Sequence, residues 1–212
     1  MAFHGDAAVK ASCVHRLRSH LHKPESDQVV FGWHGGTRGV TGCRVHGIAT
    51  ARCAPDLGIP EVLAGLAEMI LERLSDEEAK RFSLEFIDAV PVGADLSSVW
   101  PAIAHWLLAD PEHGVIRSAP TAGTRSAIKR VASLYARMLR SEPVSPQELR
   151  NAVQIAGPLG EGAAAQVVSG AAEAASDPVE MARWTVAKAC SVAPDTMWPA
   201  LKRQLIELVQ SA

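Results

Sequence analysis

The chain has 212 residues, 48% hydrophobic and 21% charged, with 21 Lys and Arg against 23 Asp and Glu for a formal net charge of −2. This is the balance of an ordinary globule of one large or two small units. It excludes disorder, collagen and coiled coil, and it argues against a dedicated nucleic-acid binder, which is usually basic.

No apolar run reaches the roughly 18 residues of a membrane span. The opening MAFHGDAAVK lacks the apolar stretch of a secretory signal. The expected compartment is therefore the cytoplasm, with no membrane partner and with reduced thiols. Cys13, Cys43, Cys53 and Cys190 form no Cys-x-x-Cys. Cys13 and Cys190 sit in apolar helical stretches and read as buried structural residues.

In chain order, Asp6 can cap a first helix whose apolar stripe is Val9, Cys13, Leu17 and Leu21, ended by Pro24. His15, Arg16, Arg18, His20 and His22 read as its solvated face, with an anionic-ligand patch as the sharper alternative. Val29–Trp33 reads as a strand, His34–Gly39 as a turn and Val40–Val45 as a returning strand. Five glycines between 32 and 42 make this segment a hairpin or an irregular loop.

From residue 58 the pattern is helical. Gly58-Ile59-Pro60-Glu61 opens one helix. Ser75-Asp76-Glu77-Glu78 is a capping box opening the next, which runs to about Val90, where Pro91 and Gly93 break it. Val99–Leu108 is helical and stops at Asp110-Pro111, and a polar loop follows. Ser126–Leu139 is the next helix, Ser145-Pro146-Gln147-Glu148 is a second capping box, and helices are expected over about 160–175, 178–191 and 195–210. Residues 152–193 are alanine-rich, which suits closely packed helices or an interaction surface.

The expected fold is mainly α: a bundle of about seven to eight helices with a small N-terminal β-hairpin or irregular Gly-rich loop. Residues 1–57 hold six of the eight histidines and three of the four cysteines. They form one region and residues 58–212 the helical bundle, together one compact unit.

Chemistry concentrates at Gly42-Cys43-Arg44-Val45-His46. On a regular strand Cys43 and His46 diverge; in a turn or bulge they can converge. Cys43 could be a nucleophile activated by an imidazolium or by Arg44, or Cys43 and His46 could be two ligands of a zinc site completed by His4, His34 or a carboxylate. A surface turn in which both are structural is the third reading. His105 beside Trp106 reads as a core histidine. Glu68 and Glu72, four apart, read as an exposed helix edge, with acid–base or metal chemistry as the sharper alternative. Gly32-x-x-Gly35-Gly36 lacks the spacing of a dinucleotide fingerprint, and no P-loop, Gly-x-Ser-x-Gly or His-Glu-x-x-His is present.

Phe3-His4-Gly5-Asp6, Gly42-Cys43-Arg44-Val45-His46, Gly58-Ile59-Pro60, Gly93-Ala94-Asp95-Leu96-Ser97 and His105-Trp106-Leu107-Leu108 stand in this order along nearly the whole chain. In this the chain resembles a group of uncharacterised proteins of similar length from bacteria and their phages. Those proteins share a His-Gly-Asp opening, a Gly-Cys-x-x-His segment, a GIP helix start and an Ala-rich helical tail closing on a Leu-rich helix. The resemblance carries no activity; it gives weight to His4, Asp6, Cys43, His46 and Glu72. Where relatives carry a further cysteine this chain has Gly39, which disfavours a two-cysteine metal site or redox pair.

Two functions follow as expectations. One is a protein-interaction or immunity-like module with a protein partner, and with self-association through its small-residue helices. The other is a small enzyme of acyl or glycosyl transfer, with Cys43 as nucleophile, His46 or His4 as base and Asp6 orienting His4. Neither a cofactor nor a bound metal is expected.

Overall fold

A computed structural model describes residues 1–21, 53–155, 159 and 161–212. The expected hairpin over 29–45, with Cys43 and His46 beside or within it, lies outside the described residues. Among those residues the secondary structure is helical throughout, with ten α-helices and three short 3-10 turns, so the fold is mainly α. No described helix is long and apolar enough to cross a membrane.

The chain divides into two compact units, Met1–Ser97 with Leu205–Ala212, and Ser98–Gln204. This division differs from the compositional break at 57/58. The physical reason is that the described N-terminal residues are held by the first helices after it. The backbone N–H of Ala2 donates to Ala94 O, and that of Gly93 donates to Ala2 O, each over 2.9 Å. Lys10 Nζ donates to the carbonyls of Asp88 and Val90 at 2.8 and 2.7 Å.

In the first unit, α1 (Ala7–Leu21) packs on α4 (Asp76–Ala89), and α3 (Glu61–Leu71) packs on α4 as well. Cys13 and Leu17 of the expected stripe are buried, while His15, Arg16 and Arg18 on the other side are exposed. Phe82 and Phe86 meet one turn apart at 6.2 Å between ring centres. Ser75 and Glu78 form the reciprocal capping box that the sequence spelled out. Between α1 and α3 lies the short helix α2 (Cys53–Leu57), too brief for an apolar period to reveal.

The second unit holds α5 (Val99–Ala109), α6 (Ala122–Leu139), α7 (Pro146–Gln154), α8 (Ala163–Glu173) and α9 (Pro178–Cys190). It also takes α10 (Pro194–Gln210) up to Gln204. Helix α6 begins a turn earlier than expected from Ser126, because Thr121 caps it by accepting from Thr124 N at 3.0 Å. Ser145 and Glu148 form the second capping box.

Much of α8, within the alanine-rich segment, is internal packing. Ala164, Ala165, Ala171 and Ala172 of α8 are buried, and α8 lies close against α9. A Cβ on Gly170 would stand 2.5 Å from Thr185 Oγ1 and 2.6 Å from the Trp184 ring, so glycine is what lets the two helices meet there. Tyr135 of α6, buried, donates its hydroxyl to Ala171 O, and Trp100 of α5 stands edge-on to its ring at 6.5 Å.

Candidate functional site

Of the sequence candidates, His4 and Asp6 are described. They sit where the backbone is strained. Phe3 and His4 have φ of 52° and 55° and Gly5 has 75°, a run of left-handed residues that costs about 1–2 kcal/mol at each non-glycine. Full burial of Phe3, the two hydrogen bonds to 93–94 and the Lys10 ammonium 5.6 Å over the Phe3 ring hold it. Gly58 closes the other side, since a Cβ there would fall 2.2 Å from Met1 O.

The turn leaves His4 exposed. Asp6 is occupied in capping: its Oδ1 accepts from Ala8 N at 2.7 Å. Glu68 and Glu72 do not form an exposed pair, because Glu68 is buried and only Glu72 faces out. His105 is half-buried, and it is His113 that meets Trp106. Cys13 and Cys190 are both buried. Among the described residues no group of three His, Cys, Asp or Glu is placed to hold a metal ion.

The second unit contains an open cleft of about 290 Å³ between residues 112–118 and the junction of α9 and α10. Its apolar wall includes Val115, Val192 and Met197, and its polar wall Glu112, His113, Arg117, Ser118 and Thr196. The local sequence builds it step by step. After α5 stops at Asp110, the carboxylate turns back on its own chain: Oδ1 accepts from the backbone N–H of Glu112 at 2.9 Å and of His113 at 2.7 Å, an Asx turn. Gly114 N donates to Asp110 O at 2.9 Å, and a Cβ on Gly114 would lie 2.5 Å from Asp110 backbone atoms. Only glycine closes this turn.

The same Oδ1 lies 3.3 Å from His113 Nδ1. Burial pushes the Asp110 carboxyl up, but the N–H groups of His113 and Glu112 and the imidazole outweigh it and hold the group below its ordinary value. An ionised carboxylate only accepts, so Nδ1 is the donor in this contact. The Trp106 ring, 5.5 Å from the imidazole and tilted by 31°, backs it.

Around it the hydroxyl protons are committed. Ser118 Oγ donates to Val115 O at 3.1 Å and Thr196 Oγ1 to Ala193 O at 3.2 Å. Arg117 Nη1 donates to the Glu112 carbonyl. Sequence reading passed over this loop, although Asp110-Pro111-Glu112-His113-Gly114 carries a signal: an acidic helix stop, a proline, and a histidine three residues on, before a glycine.

No protein-family model matches the chain, and no curated protein or solved structure matches it either. The likeness to bacterial and phage proteins rests on the motifs alone.

Proposed function

We propose that the chain is a binding module of the cytoplasm, an interaction or immunity-like protein that recognises a protein partner through the cavity of its second unit. The observation that supports this reading is the committed state of the polar groups around the cavity. A hydroxyl that gives its proton to a backbone carbonyl is not handing it to a base, so Ser118 and Thr196 are set up to accept hydrogen bonds rather than to attack. Half-exposed Val192 at the rim adds apolar contact area beside them. The small residues of α8 named above are used up inside the chain, which moves the proposed contact from the Ala-rich helices to the cavity.

The test is photocross-linking in cells, with benzoylphenylalanine at Val192 and, as a control, at exposed Arg130 of α6, which does not line the cavity. A discrete adduct at Val192 that is absent at Arg130, and is lost when Ala193→Trp fills the cavity, supports the reading. Equal adducts at both positions, or none at Val192, overturn it.

A further inference from the structure

We infer that helix α6 presents a basic face that docks an acidic helix of a second protein partner. The helix and its C-cap carry five cations, Arg125, Lys129, Arg130, Arg137 and Arg140, and no acidic residue. At about 100° per residue all five fall within one arc of about 140°. Ile128, Val131 and Tyr135, on the other side of the helix, are buried. Arg125, Lys129 and Arg130 are exposed.

The two ends of this face differ. At the C-terminal end the chain supplies its own carboxylates. Arg137 holds Glu142 and Glu148 at 3.2 and 3.1 Å, and Arg140 holds Glu142 at 2.7 Å. In the N-terminal half, Arg125, Lys129 and Arg130 form no ion pair with any of the described residues.

For folding alone these cations are misplaced. The positive end of the helix dipole disfavours Arg125, near a first turn that has no acidic residue to offset it. Arg125 and Lys129 are also like charges four apart, which repel. Acids at these positions would suit the isolated helix better, and such conflicts with local preference gather where a surface has another use. Carboxylates delivered by a partner relieve both effects, as Glu142 and Glu148 already do for Arg137. The spacing fits too: cations four apart rise by about 6 Å, the same step as carboxylates four apart on a partner helix. None of the three lines the cleft, so this partner differs from the one expected at Val192, and the Val192 adduct remains absent at Arg130.

The experiment titrates the full chain, ¹⁵N-labelled and at low salt, with an acetylated and amidated alanine-rich peptide of about 20 residues carrying glutamate at every fourth position. Its glutamine analogue and a single-stranded oligothymidylate are run in parallel. The glutamate peptide is expected to shift the amides of Arg125, Lys129 and Arg130 saturably and to bind about tenfold more tightly than the glutamine analogue. Arg125→Glu and Lys129→Glu are each expected to weaken it several-fold. Arg16→Glu, the same change of charge at an exposed position of α1, is expected to leave it unchanged. Arg125→Glu is also expected to raise the Tm of the free chain, because it ends the repulsion and pairs with Lys129, so its loss of binding is not unfolding. Equal binding of the glutamine analogue, an equal loss in Arg16→Glu, or tighter binding of the oligothymidylate through the same residues overturns the inference. The Val192 cross-link tests the cleft separately.

Discussion

The hydroxyl of Tyr135 donates to the carbonyl oxygen of Ala171 over 2.7 Å, joining α6 to α8 at a point sealed from water. The phenol is 1% exposed, and burial raises its pKa above the ordinary value. Tyr135→Phe keeps the ring against Trp100 and removes the donor, so it should cost about 1–2 kcal/mol in urea unfolding. The pH sign also follows. The folded state keeps the proton where the unfolded chain gives it up, so stability is intact below about pH 10 and falls as pH rises above it. Tyr135→Phe should flatten that alkaline fall in Tm; an equally steep fall would assign it elsewhere.

Gly170→Ala should destabilise the second unit, although alanine is the better helix former by about 1 kcal/mol. The added methyl would enter the space of Thr185 Oγ1 and the Trp184 ring, and overpacking of this kind costs about 1–3 kcal/mol. Trimming the ring with Trp184→Leu should return part of the loss in the double variant. Full additivity of the two changes would mean that the two residues do not share that space.

The junction of α6 and α7 is an electrostatic cluster. Arg137 holds Glu142 at 3.2 Å and Glu148 at 3.1 Å, and its Nη2 donates to Pro143 O. The Ser145 backbone N–H, then Arg137, hold Glu148 below its usual range, and Arg140 followed by Arg137 do the same for Glu142. Lowered carboxyl pKa values mean that the unfolded chain binds more protons, so stability is present above the unfolded value of about 4.3 and is lost as pH falls below it. Arg137→Met should make Tm less sensitive to pH between about 5 and 3. Because these groups are exposed, the change is small and fades with salt. Parallel wild-type and variant curves at low salt would count against the cluster.

Asp6 separates two functions proposed for one carboxylate. As a cap on α1 its replacement by alanine should cost about 1 kcal/mol, and Asp6→Asn should keep most of the stability. Both variants should leave the rate of Cys43 alkylation unchanged. A several-fold slower reaction in Asp6→Ala, with His4→Ala behaving alike and stability intact, would instead support a Cys43 site oriented from the N-terminal turn.

How far the sequence reached depends on how local each cause is. The boxes at Ser75 and Ser145 lie within four residues and were legible as written. The helix expected from Ser126 starts at Ala122 under the Thr121 cap, and Gly123 is tolerated because the first turn of a helix needs no internal donors. Glu68 and Glu72 share a helix face by spacing, but the neighbouring packing buries one and leaves the other out. His105 read as a core histidine and is half-buried, and the turn at Asp110 folds His113 back onto the Trp106 ring.

By itself, then, the sequence determined the helical class and most helix boundaries, because periodicity and caps act over one or two turns. Tertiary structure alone decided that residues 112–118 meet residues more than seventy positions further along to line an open cleft. It also decided that a left-handed turn is held by Phe3. Those features depend on which surfaces come together in three dimensions, and the energy that stabilises them is burial and hydrogen bonding between segments that no local pattern connects.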